Sequence, residues 1–337
     1  MSRACVRGLI ATVVLGSIAV GCGGGGAAKT AAKTPCPTSA QPSIAAKTRD
    51  APPRVPTHGA YFGAFALTGD FSQPSYVASV AQLQTEICRP LAIVHSYLRW
   101  KQKFPQQSQL TASRAGQTLL LSWTGTNLAE MASGADDAEI REIAGEVAAL
   151  HSPVFVELRW EMDRPNLRTI VGSPTTFIAA WDHTRAVFAA AGVSNASWVW
   201  CPTAVGFDDD SAPAYYPGAK EVDWICTDAY PKPDGPVEQL SSELASFLKW
   251  AVPQRKPIML GEIGVPESYN ASKRTGWIDN AADLVKDTPL IKAVVYFDYN
   301  PEDHPATRDY RIEPSSPAAG ALRSLAADPW FQPTFGR

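Results

Sequence analysis

The chain has 337 residues, of which 45% are hydrophobic and 19% charged, so it can bury a large core and does not have a disordered composition. Its formal net charge is −3 and no Lys/Arg-rich run occurs, which argues against nucleic acid as a partner because phosphate binding needs a basic face. The five histidines are scattered and the cysteines lack zinc-type spacing, so neither a metal site nor a cofactor is expected.

The N-terminal segment has the features of an export signal. Arg3 and Arg7 form a basic region, residues 8–20 are apolar but too few to span a bilayer comfortably, and residues 19–22 read Ala-Val-Gly-Cys. This pattern resembles a bacterial lipoprotein signal, and the resemblance implies cleavage before Cys22 and a lipid on that cysteine. An ordinary secretory signal with a coincidental cysteine is the alternative.

The sequence divides into three predicted parts. Residues 1–21 are the signal peptide, residues 22–57 are a tether rich in Gly, Ala, Thr and Pro, and residues 58–337 are the main folded domain. We therefore expect an exported protein that contacts the membrane only through its lipid anchor, and we expect it to be a monomer.

Four cysteines remain after the expected lipid attachment site. An even number in an exported chain permits disulfides, with three connectivities. Cys201 and Cys226 fall on neighbouring predicted strands and could be buried thiols or a bridge, while Cys36 with Cys88 could tie the tether to the first helix. The sequence leaves the pairing open.

From residue 58 onward, short apolar stretches alternate with stretches of helical spacing. Strands are predicted over residues 59–66, 91–98, 118–124, 154–160, 196–201, 222–230, 258–262 and 291–298. Helices are predicted over residues 74–87, 136–150, 237–251, 272–286 and 316–327, and one more begins at Ser173-Pro174, a good cap and first-turn pair. Residues 104–117, 205–220 and 300–317 are predicted loops that shape the pocket.

Eight strands that alternate with helices predict an α/β fold with a parallel sheet, and eight units within this length favour a closed (β/α)8 TIM barrel. A doubly wound open sheet is the alternative. It usually has fewer strands and, for nucleotides, a glycine-rich first turn, and neither G-x-G-x-x-G nor G-x-x-x-x-G-K-[ST] follows any predicted strand.

Two predicted strands lead into a glutamate, Glu161 after the fourth and Glu262 at the end of the seventh. The carboxyl ends of barrel strands face the active site, and these two strands lie across the barrel from one another. Gly261 and Gly264 leave room for close approach beside Glu262. Two such carboxyl groups, about 5–5.5 Å apart, are what retaining glycoside hydrolysis requires. Glu157, in the middle of the fourth strand, is expected to be a buried, paired acid with a structural role.

Aromatic and charged residues occupy most of the other strand ends. Rings stack on the apolar faces of sugars and carboxylates bind their hydroxyl groups, so this combination predicts a carbohydrate site. The expected substrate-binding residues are Tyr230, Asp228, Trp200, Trp123, Trp160, Arg159, His95 and Asp298.

Structural interpretations compete with several of these assignments. Trp123 and Trp200 could be large core residues at the top of the barrel. His95 could be a hydrogen-bonded interior histidine, and Asp228 and Asp298 could cap helices.

Four motifs carry a resemblance to glycoside hydrolase family 26, within the retaining clan of (β/α)8 barrels. They are Arg159-Trp-Glu-Met-Asp163, Trp198-Val-Trp200, Asp228-Ala-Tyr230 and Pro257-Ile-Met-Leu-Gly-Glu-Ile-Gly264. The resemblance implies that Glu161 is the acid/base, Glu262 the nucleophile and Tyr230 the phenol that hydrogen-bonds the nucleophile. Trp160 stands where the family has His and Asp163 where it has Asn, and both departures bear on the substrate more than on the mechanism.

A catalytic acid must hold a proton near neutral pH, so the pKa of Glu161 has to be raised. The apolar wall of Trp160 and the negative charge of Glu262 act in that direction. Arg159 would oppose it, and we therefore expect its guanidinium to aim elsewhere or to pair with Glu262 or Asp228.

The sequence thus predicts an exported enzyme that cleaves a β-linked polysaccharide or oligosaccharide, resembling mannan, glucan, xylan or an envelope glycan, by retaining double displacement. A carbohydrate-binding lipoprotein without turnover is the alternative from another class, and two opposed carboxylates weigh against it. A transglycosylase of envelope glycans would use the same covalent intermediate.

Overall fold

The computed structural model describes residues 50–231, 238–301 and 307–336, together with Cys36. The expected signal peptide, the expected lipid site at Cys22 and most of the expected tether lie outside these residues. Among the helices that the structure describes, none combines the length and the apolar character needed to cross a bilayer.

Eight parallel strands pair in chain order and close into a barrel, with the last strand paired to the first. They are β1 (Tyr61–Leu67), β2 (Ile93–Leu98), β3 (Thr118–Trp123), β4 (Val154–Leu158), β5 (Ala196–Trp200), β6 (Trp224–Ala229), β7 (Ile258–Ile263) and β8 (Ile291–Tyr299). Each coincides with a predicted strand. The predicted (β/α)8 barrel is therefore confirmed, and the open sheet is excluded.

Each connection between strands contains at least one α-helix, except that between β5 and β6, which contains two short 3-10 helices. The α-helices are α1 (Gln73–Glu86), α2 (Gln107–Arg114), α3 (Leu128–Ser133), α4 (Asp137–Ala149), α5 (Arg168–Val171), α6 (Pro174–Ala190), α7 (Leu240–Glu243), α8 (Ala245–Ala251), α9 (Ala271–Asp287) and α10 (Pro317–Ala327). The predicted cap is present, since Ser173 Oγ accepts from the Thr176 amide at 3.1 Å.

Three helical predictions need correction. The predicted loop over residues 104–117 contains α2, whose largely polar sequence hides it from any test of apolar spacing. The Gln109 side chain accepts from the Gln106 amide at 2.7 Å and supports its first turn. The short helix α3 is not among the predicted helices, and the helix predicted over residues 237–251 is split into α7 and α8.

Alternation along the strands sorts the side chains into two environments. One set fills the barrel interior, including Tyr61, Phe155, Trp224 and Met259. The other packs outward between the strands and the helices, and Leu260 and Ile263 belong to it. The outward set forms the larger core, because each helix buries its apolar face against the outside of the barrel.

An extra residue in β7 interrupts this alternation beside the expected nucleophile. Leu260 pairs with Thr227, but the next residue of β6, Asp228, pairs with Glu262, so Gly261 is the additional residue of a β-bulge. Strict alternation from inward Met259 would turn Glu262 outward. The bulge re-aims a side chain at the rim of a barrel, and here it turns Glu262 inward.

Two disulfides form, Cys36 with Cys88 and Cys201 with Cys226. The first joins the segment that precedes the barrel to the end of α1. The second crosses from β5 to β6 inside the barrel and lies against the bulge, because a Cβ added to Gly261 would be 2.5 Å from Cys226 Sγ and 2.8 Å from Cys201 Sγ. The interior of the barrel leaves no space for a side chain at position 261.

We expect Gly261→Ala to lower the free energy of unfolding by about 1–3 kcal/mol, because its methyl group must displace the disulfide or the bulge. Gly276→Ala is the matched control, since a Cβ on this glycine of α9 meets no atom within 4 Å. The control should be neutral or stabilising by up to about 1 kcal/mol. Denaturant unfolding of both variants measures the difference, and equal effects would contradict the close packing beneath Glu262.

Candidate active site

Glu161 lies in a turn of unusual backbone conformation that follows β4. Both Arg159, with φ 51°, and Glu161, with φ 52°, occupy the left-handed region that favours glycine. The Arg159 amide donates to the Trp123 carbonyl at 2.9 Å, and the Glu161 amide donates to the Cys201 carbonyl at 2.7 Å. Main-chain bonds to the strands on either side therefore fix the turn and place Glu161 at the rim.

Glu262 accepts hydrogen bonds from two phenols. Tyr230 Oη donates to Oε2 at 2.6 Å, as the family resemblance implies, and Tyr97 Oη donates to Oε1. Burial raises the pKa of both phenols well above the usual value, so both stay protonated and act as donors. Tyr97 is not among the substrate-binding residues expected from the sequence, and its position two residues after His95 on the inward face is the signal that could have found it.

The pKa of Glu262 is set by opposing influences. Burial raises it and is the largest influence, and the negative charge of Glu161 raises it further. The hydrogen bonds from Tyr230 and Tyr97 lower it. The two glutamates therefore share one electrostatic environment, in which the phenols favour the ionised form of Glu262.

Glu161 is paired with an arginine that the sequence analysis missed. Arg164 Nη1 lies 2.5 Å from Glu161 Oε2. A spacing of three residues brings two side chains together only where the chain turns, so the sequence alone gives no clear signal for this pair. Burial raises the pKa of Glu161, while Arg164 and then Arg159 lower it. The pKa of Glu161 is therefore raised, as expected, and Arg164 is the strongest influence that lowers it.

Arg159 and Asp163 are both turned to structural use. Arg159 Nη1 donates to the Thr124 carbonyl at 3.4 Å, which agrees with the expectation that its guanidinium aims elsewhere. Asp163 accepts from the Thr203 amide at 3.0 Å and from its hydroxyl, and so joins the segments after β4 and β5. Asp163 is therefore not a free second acid beside Glu161.

Inside the barrel, three polar side chains are linked by hydrogen bonds. His95 Nε2 is 2.6 Å from Ser122 Oγ, which donates to Glu157. Burial lowers the pKa of His95 to about 3, so its imidazole is neutral near pH 7, and burial raises the pKa of Glu157 well above its usual value. The His95 ring packs against the Tyr97 ring at a tilt of 40°, with ring centroids 4.4 Å apart. The interior interpretation therefore replaces the expected sugar contact of His95, and Glu157 is buried and paired as predicted.

Trp160 and Asp228 lie near the two glutamates. Trp160 packs against Tyr97, with ring centroids 5.0 Å apart. Asp228 is buried and pairs in register with Glu262, with its Oδ1 3.3 Å from Cys201 Sγ. Burial raises the pKa of Asp228 well above its usual value, and its Oδ2 has no partner among the described residues.

Three residues that were expected to contact the substrate, Trp123, Trp200 and Asp298, need correction. Their side chains are buried away from the mouth of the barrel, the end at which Glu161 and Glu262 lie. Trp123 stacks on Trp100 with centroids 5.3 Å apart, and Trp200 packs against Trp250 at 5.4 Å, both in the layer between strands and helices. Asp298 accepts from the Ile312 amide at 2.7 Å and holds the segment after β8. All three serve packing or loop anchoring.

One cluster in the described part of the chain brings three common metal-ligand types together, Glu157, Cys201 and Cys226. Both sulfur atoms are bonded to each other in the disulfide. A single carboxylate remains, which does not fit a metal site.

Comparisons with known proteins agree with this architecture. No protein-family model matches the sequence. Endoglucanase H of Acetivibrio thermocellus is 26% identical over 290 residues, which cover 80% of this chain, and the chain spans about a third (31%) of that curated relative's length.

Several solved structures have the same barrel. A family 26 β-mannanase from Bacteroides ovatus has a TM-score of 0.61 and 15% identity over 81% of this chain and 90% of its own. The catalytic domain of a family 26 endo-β-1,4-mannanase from a Bacillus species has a TM-score of 0.63 and 16% identity over 81% and 86%. A β-mannanase from a symbiotic protist of the termite Reticulitermes speratus, complexed with a gluco-manno-oligosaccharide, has a TM-score of 0.58 and 13% identity over 86% and 98%. The resemblance to family 26 carried by the strand-end motifs is thus confirmed at the level of the fold.

Proposed function

We propose that this chain is a retaining glycoside hydrolase with Glu262 as nucleophile and Glu161 as acid/base. The observation that carries the proposal is the pair of largely buried carboxyl groups at the ends of β4 and β7, one held by two phenols and the other set in a constrained turn. A binding protein has no need of such a pair, whereas double displacement requires both groups.

The surroundings of each carboxyl suit its proposed role. Tyr97 and Tyr230 favour the ionised form of Glu262, which attacks the anomeric carbon. Burial favours the protonated form of Glu161, which donates its proton to the leaving oxygen and then accepts one from the water that cleaves the covalent intermediate.

The substrate is a β-linked polysaccharide or oligosaccharide. This rests on the similar proteins described above, which are an endoglucanase and several β-mannanases. We also propose that the barrel acts outside the cytoplasm on a lipid anchor at Cys22, and the two disulfides support export because such bonds persist in oxidising compartments.

Glu262→Ala should reduce polysaccharide cleavage by on the order of 10⁴-fold or more, because no covalent intermediate can form. Glu161→Ala should lose about 10²–10⁴-fold on polysaccharides but retain turnover of aryl glycosides whose leaving groups need no proton. Glu142→Ala, which removes an exposed glutamate of α4, is the control and should keep full activity. Steady-state kinetics on mannan, glucan and aryl glycosides tests all three variants, and full activity in both active-site variants would refute the assignment.

Tyr97→Phe should move the acidic limb of the pH profile of kcat/KM to higher pH by about 0.5–1 unit, the size of one lost hydrogen bond. The sign follows from the hydrogen bond, which lowers the pKa of Glu262, so its removal raises that pKa and demands a higher pH for ionisation. Tyr61→Phe is the control, because this buried phenol bonds the Arg54 carbonyl instead of Glu262. An unmoved limb in Tyr97→Phe, or an equal shift in the control, would contradict the proposed role of Tyr97.

A further inference from the structure

Arg164 stands between the solvent and the proposed acid/base. Its side chain is 46% exposed, whereas that of Glu161 is 14% exposed, and the Nη1 to Oε2 distance is 2.5 Å. The Arg164 amide also donates to the Glu161 carbonyl at 3.1 Å, which closes a tight turn between the two residues. Arg164 is thus a partly exposed cation bound to the group that must deliver a proton.

This pairing conflicts with general acid catalysis. A guanidinium hydrogen-bonded to a carboxylate favours the ionised form, and Arg164 is the main influence that lowers the pKa of Glu161. The acid/base therefore gains its proton more readily when Arg164 binds another anion.

Besides Glu161, the anions in the described part of the chain that act on Arg164 are Glu262 and Asp163. The charged or titratable groups that act on Glu161, or on which it acts, are Arg159, Asp163, Glu157, Asp228, Glu262 and Tyr310. Asp163 is bound by Thr203, Glu262 by two phenols and Glu157 by Ser122, while Asp228 lies buried against the disulfide. Glu262 and Asp163 are thus already engaged by other donors, and a carboxylate on the substrate would supply Arg164 with an anion that is not.

A second arginine strengthens the positive side of the mouth. Arg308 is exposed, and its charge lowers the pKa of the Tyr310 phenol, on which Glu161 and Glu262 also act. A substrate with anionic groups would meet cations at this mouth before it meets the glutamates.

We propose that the glycan cleaved here is acidic, with hexuronate units, and that one substrate carboxylate takes Arg164 in a bidentate pair and releases Glu161. The inference rests on the proposed hydrolase function and names its substrate class. Guanidinium and carboxylate match in a planar, two-bond geometry that a neutral sugar hydroxyl cannot reproduce. Arg164 then both selects the substrate and couples its binding to protonation of the acid/base.

The test compares native β-mannan and β-glucan with the same polymers oxidised at C6 to carboxylates, using the full chain. The wild type should cleave the oxidised polymers with a kcat/KM about tenfold or more above the native ones, the size of one charge-assisted pair. Arg164→Gln should bring that ratio close to one, and Arg164→Lys, which keeps the charge but not the two-bond geometry, should fall between. Arg168→Gln removes a cation four residues further on and should keep the wild-type ratio.

A pH profile separates this role from a merely structural one. On native polymer, Arg164→Gln should move the basic limb of kcat/KM to higher pH, because Glu161 loses the cation that lowers its pKa and stays protonated longer. Arg168→Gln should leave the limb in place. An unmoved limb in Arg164→Gln would overturn the coupling.

The outcomes distinguish this inference from the proposed function. Equal cleavage of native and oxidised polymers by the wild type, or a preference that survives in Arg164→Gln, overturns the acidic substrate and leaves the hydrolase standing. Absence of cleavage of all four polymers counts against the hydrolase. In that case, gel retardation of Glu262→Ala by the oxidised polymers alone supports an acidic ligand, and equal retardation by both forms overturns it.

Discussion

The inward aim of Glu262 depends on one extra residue in β7, and the rest of the site is arranged around that side chain. The bulge at Gly261 pairs Glu262 with Asp228 and brings it under Tyr97 and Tyr230. Without the bulge, the alternation of the strand would send the carboxylate toward the helices. The bulge in turn needs a residue with no side chain, because the Cys201–Cys226 disulfide and Asp228 fill the space beneath it. The register shift between β6 and β7, the disulfide and the glycine thus all meet at position 261.

Much of the fold could be predicted from the sequence because each element carries its own local signal. All eight strands are short apolar runs, and Ser173 followed by Pro174 marks the start of α6. By contrast, α2 has a mainly polar sequence, and its stability comes from capping and from contacts that no local pattern reveals.

The site could be predicted only in part, because a strand-end position does not determine which way a side chain points. The outward direction of Trp123, Trp200 and Asp298 was available in the period of two, since each lies an odd number of residues from an inward-facing neighbour. The inward direction of Glu262 was not, because the bulge breaks that period and becomes visible only in the pairing with β6. The pairing of Arg164 with Glu161 likewise depends on a turn that sequence spacing alone does not specify.

In the turn that carries Glu161, the backbone conformation favours glycine, whereas the proposed chemistry requires a carboxyl side chain. Residues 159 and 161 have backbone angles that glycine adopts without strain. Each non-glycine residue there carries a backbone strain of about 1–3 kcal/mol. Glycine has no carboxyl group, so a turn with glycine at position 161 could not carry out the proton transfer proposed for Glu161. The main-chain bonds from the flanking strands offset the strain. Stability and the proposed catalysis therefore cannot both be maximised at this turn. Substitutions to glycine would relieve the backbone strain but would remove the side chain on which the proposed function depends.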